Sequence, residues 1–237
     1  VPAGRRQALA QELGGTPGRW TATALHVERV GDLPADCWIQ DEGSQLVAEL
    51  VPVGPVLDWC AGAGGKSLAL LARGCTVTAA DVRPLDEALR RARRARFRLD
   101  VTTHADAPTS PTVLVDAPCT GTGTLRRDPA LRWRLTREWF ESRVVLQARV
   151  LDEAAEKVAA GGRLVYATCS VLRRENQGAV ESFLARNPGF ARVGQDLVLR
   201  PEEHGTDGFF GSCGRSRGTS GWRSEPTASW ATRMGPG

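Results

Sequence analysis

No apolar run in this sequence approaches the ~20 residues needed to cross a bilayer, and no signal-peptide pattern opens it. A cytoplasmic protein with no membrane partner is the expectation. Cysteine is sparse and scattered: Cys37, Cys60, Cys75, Cys119, Cys169 and Cys213 form no C-x-x-C pair. That spacing argues against a zinc site, so no metal is expected. Without an extracellular signal it argues against a disulfide framework as well. Lysine is nearly absent, Lys66 and Lys157 being the only two, so arginine supplies almost all the positive charge. Arginine suits forked phosphate contacts and base stacking. A genomic base-composition bias explains the same excess, and a net charge of +4 does not by itself require a nucleic-acid partner.

What is present fits an ordinary globular chain: 237 residues, 41% hydrophobic and 24% charged. That length holds one large domain, or one domain and a fragment of another, and nothing suggests more than a monomer. Residues 1–35 carry Gly14, Gly15, Pro17, Gly18 and Pro34 with weak periodicity, and read as the remnant or linker of an upstream module. From residue 36 strands and helices alternate. Short apolar runs at 56–59, 76–80, 97–103, 112–115 and 163–168 read as strands. Helical spacing fills 67–72, 84–96, about 136–160 and 174–187. Strands separated by helices imply right-handed crossovers, hence an α/β fold with a doubly wound, mostly parallel sheet. From Gly211 onward Gly, Ser, Arg and Thr dominate. This composition buries too little surface to offset ordering entropy, so residues 211–237 are expected to be a disordered tail.

In such a sheet ligands bind beyond the carboxyl ends of the strands, and the polar features fall there repeatedly. The first strand runs into Cys60-Ala61-Gly62-Ala63-Gly64-Gly65-Lys66. Glycines let backbone approach a ligand closely, and the next helix offers free N–H groups. A P-loop is disfavoured, because Cys60 stands where its first glycine is needed. Asp81 ends the second strand, placed to accept ribose hydroxyls or to cap the next helix. Asp106 follows the third strand and is a weaker candidate for an adenine amino group. The fourth strand delivers Asp116-Ala117-Pro118-Cys119-Thr120-Gly121-Thr122-Gly123, and the fifth Ala167-Thr168-Cys169-Ser170. Two thiols and a carboxylate at one crevice suit covalent chemistry on a flat, electron-poor ring. Such a ring needs a soft nucleophile, a proton donor at its edge and a base for the departing proton.

These runs, with Trp38-Ile39-Gln40-Asp41-Glu42-Gly43-Ser44-Gln45, resemble the motifs of the Sun/NSUN family of RNA cytosine-5 methyltransferases, the bacterial 16S ribosomal RNA branch above all. The similarity covers about residues 36–210, and the pairing of the two cysteine motifs is its specific part. The resemblance implies a Rossmann-like class I methyltransferase sheet of seven strands over 36–210, and S-adenosylmethionine as cofactor. It implies Cys169 as the nucleophile at cytosine C6, Asp116 at the N3/N4 edge, and Cys119 in removal of the C5 proton. Residues 60–66, Asp81, Asp106 and Asp116 are expected to line the cofactor pocket; for Lys66 a solvated helix-start lysine is the alternative. Arg126, Arg127, Arg132 and Arg134 around Trp133 read as an RNA-binding loop or as a solvated surface. A transfer RNA substrate, or a non-catalytic RNA-binding factor on the same fold, is the alternative function. The family's upstream RNA-binding module is expected to be missing. Asp207-Gly208-Phe209-Phe210 resembles the start of the family's last strand, but the Gly-Ser-Cys-Gly that follows departs from an apolar run. The expectation is that this strand is lost.

Overall fold

The computed structural model describes residues 1–217. Seven strands form one sheet: β1 (Pro55–Asp58), β2 (Thr76–Ala80), β3 (Asp100–Thr102), β4 (Ser110–Asp116), β5 (Val158–Thr168), β6 (Phe190–Leu199) and β7 (Phe209–Ser216). Their order is β3-β2-β1-β4-β5-β7-β6. β7 runs antiparallel to both its neighbours, and the other pairings are parallel. The doubly wound, mostly parallel sheet expected from the sequence is therefore the fold that forms.

Side-chain alternation along the strands builds a core on each face. On β4, Leu114 joins the apolar layer under α1 (Glu42–Glu49), α2 (Gly65–Ala72) and α3 (Asp86–Arg94). Val113 and Val115 point the other way, into the layer under α4 (Arg137–Ala155) and α5 (Gln177–Arg186). With both faces covered, the central strands carry near-continuous apolar runs. Asp41 caps α1, accepting from Gly43 N–H at 2.8 Å, and Thr136 caps α4, accepting from Trp139 N–H at 3.2 Å. Each such cap contributes about 1 kcal/mol.

The last strand corrects one expectation. Residues 211–216 are not a tail: β7 lies inside the sheet, paired from Thr168↔Phe210 to Arg163↔Arg215 on one side and from Leu199↔Phe209 to Phe190↔Ser216 on the other. Backbone ladders on both edges hold it, and they do not require bulky side chains. A Cβ on Gly211 would meet the end of the Leu50 side chain beside α1, which would have to move aside. The remainder of the expected tail, 218–237, lies outside the described residues. β5 also begins earlier than expected, so residues 158–162 are strand rather than the end of a helix, and β6 has no counterpart in the sequence reading.

Residues 1–35 are docked on the sheet domain. Leu9 is fully buried. The buried Glu42 carboxylate of α1 accepts from the N–H groups of Trp20 (2.6 Å) and Thr21 (2.8 Å) and contacts His26 Nε2 at 3.0 Å.

Candidate active site

From β1 the chain winds outward to β2 and β3, then returns to β4 on the other side of β1. This reversal opens a crevice beyond the strand ends. The turn after β1 is shaped for close approach: Gly62 and Gly64 have φ of +54° and +77°, values that only glycine adopts readily. A Cβ on Gly64 would stand 2.8 Å from that of Ala88, so this glycine also lets α3 pack against the turn. The first N–H groups of α2 lack intrahelical partners and face the turn's end.

A cavity of about 650 Å³ opens here, lined by Cys60, Ala61, Gly62, Ala63, Gly65, Lys66, Asp81, His104, Asp116, Pro118, Leu146 and Val150 among others. Asp81 accepts from Gly62 N–H at 2.8 Å, and its oxygens also take Arg83 Nε (3.0 Å) and Nη2 (3.1 Å). Burial raises the Asp81 carboxyl, but the Arg83 and Gly62 hydrogen bonds outweigh it and hold the group below the usual carboxylate range. It caps no helix, since α3 begins at Asp86. Asp106 does not line the cavity; its carboxylate accepts from Thr103 Oγ1 at 2.7 Å. His104 takes that place, stacked on Trp59 with ring centroids 4.1 Å apart. The sequence placed it in the same turn, without a signal to prefer it over Asp106.

Lys66 is buried, and its Nζ donates to Asp116 Oδ2 at 2.7 Å. It is thus an internal ion-pair partner and not a solvated helix-start lysine. Burial disfavours its charge, but Asp116 more than compensates and holds the ammonium above its ordinary range. Beneath this pair Asp58 is fully buried, accepting from Ser67 Oγ at 2.6 Å while Oδ1 has no partner. Burial pushes its carboxyl up to about 7. Cys60 is pushed up by burial, with the nearby Asp58 charge adding to the effect, which keeps its thiol protonated.

β4 and β5 are adjacent and parallel, and hydrogen bonds continue past their ends: Ala117 N–H to Ala167 O at 2.8 Å, and Gly123 N–H to Cys169 O at 2.9 Å. The two cysteine loops therefore stay in register, and the Sγ atoms of Cys119 and Cys169 lie 3.4 Å apart. The two thiols are driven in opposite directions. Cys169 is lowered because Cys119 hydrogen-bonds its sulfur and Lys66 adds positive charge, against burial and the Asp116 charge. Cys119 is raised well above the ordinary thiol by that same hydrogen bond, by burial and by the charges of Cys169 and Glu175. One thiolate and one thiol, with the thiolate on Cys169, is the arrangement this geometry favours.

The arginine loop divides. Arg127 Nε donates to the fully buried Asp207 at 2.6 Å, and Arg126 Nη2 lies 3.6 Å from both Asp207 and Asp41. Arg134 pairs with Asp128. Arg132 stacks over Trp133, 4.8 Å from its ring centre, and Trp133 is 78% exposed. Arg126, Arg127 and Arg134 are thus held by carboxylates although their side chains are 58%, 57% and 61% exposed, whereas Arg132 lies against Trp133. Asp207 and Glu175, both fully buried, carried no sequence signal for a role beside the site.

The sheet order and the glycine turn at the switch point are those of the Rossmann-like methyltransferase fold. The crystal structure of PH0851 superposes with a TM-score of 0.82 at 25% identity, covering 88% of this chain and 56% of that one. That of NSun6 from Pyrococcus horikoshii gives 0.65 at 24% identity, covering 75% and 52%. Residues 47–213 match the family model for 16S rRNA methyltransferase RsmB/F, and the chain belongs to that family. Ribosomal RNA small subunit methyltransferase B of Thermus thermophilus is 39% identical over 160 residues, 64% of this chain and 40% of that protein. The chain spans about half the length of the curated relatives it matches.

Proposed function

We propose that this chain transfers a methyl group from S-adenosylmethionine to C5 of a cytosine in RNA, with ribosomal RNA as the substrate. The observation that carries the reading is the cysteine pair, two thiols 3.4 Å apart with the Lys66–Asp116 ion pair close by. The ribosomal RNA named for the Thermus relative supports the substrate class.

The cavity fits the cofactor. Its volume falls within the roughly 300–1,000 Å³ of small-molecule sites, and its floor is a glycine turn whose missing side chains leave backbone exposed. Residues 60–66 would hold the cofactor from one side and Pro118, Leu146 and Val150 from the other. Asp81 would meet the ribose once the exposed Arg83 swings away. When bound, the cofactor supplies an electrophilic methyl group. Cys169, as thiolate, adds to C6 of a cytosine taken out of its stack, which makes C5 nucleophilic. Asp116 meets the N3/N4 edge, accepting from the amino group and stabilising a proton on N3; its Oδ1 has no partner among the described residues, and Lys66 fixes Oδ2. Once Cys169 is bonded to C6 its charge no longer holds the proton on Cys119; Cys119 releases that proton to solvent and takes the one on C5, and the electron pair of that C–H bond expels Cys169 from C6. Arg132 and Trp133 offer the flanking RNA a cation and a stacking face.

Incubation with tritiated S-adenosylmethionine and unmodified 16S ribosomal RNA, followed by nucleoside analysis, tests the reaction: label is expected in 5-methylcytidine. The Cys119→Ala variant should accumulate an RNA–protein adduct that survives denaturing electrophoresis, and Cys169→Ala should form none. Label in another nucleoside, or equal adducts from both variants, would overturn the reading.

A further inference from the structure

Glu175 is 0% exposed, in the turn before α5, yet it touches neither the cavity nor the sulfur atoms. A buried carboxylate is costly unless its oxygens are satisfied, and here four donors converge on it. Oε1 accepts from Thr120 N–H (2.8 Å) and from Gln147 Nε2 (3.0 Å), and Oε2 from Thr120 Oγ1 (2.5 Å) and Ser170 Oγ (2.6 Å). Thr120 follows Cys119, and Ser170 follows Cys169. The hub is itself anchored: Tyr166 Oη donates to the Glu175 carbonyl at 2.7 Å, and Gln147 Nε2 also donates to Pro118 O at 3.1 Å. Thr122 and Ser170 add a direct hydroxyl contact of 3.0 Å between the loops.

We propose that Glu175 is the positioning residue of the cysteine pair: its carboxylate ties the two loops together and assigns the proton to Cys119 and the negative charge to Cys169. The inference rests on reading these cysteines as the reactive pair. Two features point beyond a structural pin. An acceptor-only group meets four donors, so neither an amide nor a hydroxyl fills the position without setting donor against donor. Its negative charge also acts on Cys119 in particular and disfavours a thiolate there. With the proton held on Cys119, that S–H points its dipole at Cys169 and stabilises the sulfur that has to attack. Thr120, Ser170 and Gln147 serve the same end through Glu175, without meeting substrate.

The test is the relative reactivity of the two thiols in the whole chain, without RNA. Iodoacetamide labelling at neutral pH, resolved by peptide mass spectrometry, gives the Cys169-to-Cys119 ratio. Glu175→Gln keeps the shape and two of the acceptor contacts and removes the charge. In a folded Glu175→Gln protein the ratio should fall about tenfold, the change in thiolate population that one pKa unit represents. An unchanged ratio in that folded variant would reduce Glu175 to a structural pin and overturn the proposal. If Glu175→Gln does not fold, Ser170→Ala decides the matter by removing one of the four donors to the carboxylate, together with the hydroxyl's contacts to Thr122 and Leu172 N–H: a smaller fall in the ratio supports the proposal and an unchanged ratio overturns it. The ratio needs no methyl transfer, so an inactive wild-type chain would refute the proposed reaction while leaving this inference separately testable.

Discussion

Lys66 Nζ lies 2.7 Å from Asp116 Oδ2, so that one ion pair ties the glycine turn after β1 to the end of β4. The lysine is 8% exposed, and its charge is among the influences that hold Cys169 low. Lys66→Met keeps the apolar stem and removes the charge. The variant strands Asp116 and loses stability, but the Asp116 side chain is 31% exposed, so water meets its carboxylate and the fold should survive. Single-turnover methyl transfer should drop on the order of 10²-fold, within the range ascribed to one positioned proton-transfer or electrostatic group. Alkylation of Cys169, followed against pH, should show its midpoint moved upward. A folded variant with an unmoved midpoint would mean that Lys66 does not act on Cys169.

Asp58 gives a pH signature of stability. Its folded-state carboxyl is raised from 3.8 to about 7 by burial. The folded state therefore holds a proton that the unfolded chain has released. The stability this contributes is fully present below pH 3.8 and is lost as pH rises through about 7. Between pH 5 and pH 8 the loss from this group alone is on the order of 3 kcal/mol. Asp58→Asn keeps an oxygen for Ser67 and does not titrate. Urea unfolding at the two pH values should show the wild type losing more stability than the variant by about that amount. Parallel losses in the two proteins would exclude Asp58 as the titrating group.

Much of this site is legible in the sequence because its chemistry sits in contiguous runs at strand ends. Residues 60–66, Asp116, Cys119 and Cys169 each follow an apolar strand, and a parallel sheet brings such ends together without knowledge of distant contacts. Glu175 and Asp207 escape that logic. Glu175 matters through Thr120, 55 positions away, and Asp207 through Arg127, 80 positions away. Nothing local to either residue announces the partner. The same limit explains β7: Gly211 to Gly214 look like tail by composition, whereas what makes them strand is pairing with β5 and β6. His104 and Asp106 share one turn, and only the packing against Trp59 separates them.

Arg127 and Trp133 are near neighbours in one arginine-rich loop, and their opposite surroundings predict opposite phenotypes. Arg127 faces Asp207, which is 0% exposed. Arg127→Ala strands that carboxylate beside Arg126, whose guanidinium stands farther off at 3.6 Å. Losing one partner of a buried pair costs about 3–5 kcal/mol; because the Arg127 side chain is 57% exposed and Arg126 remains, about 2 kcal/mol is the expected loss. Trp133 is 78% exposed and supports no core residue. Trp133→Ala should leave the melting temperature unchanged and weaken binding to a 16S ribosomal RNA fragment roughly tenfold, since a stacked base contributes about 1–3 kcal/mol. Thermal melting and filter binding on both variants check the pair of outcomes. If Arg127→Ala melts like wild type and loses RNA affinity while Trp133→Ala binds normally, the division of this loop into an inner brace and an outer contact is wrong.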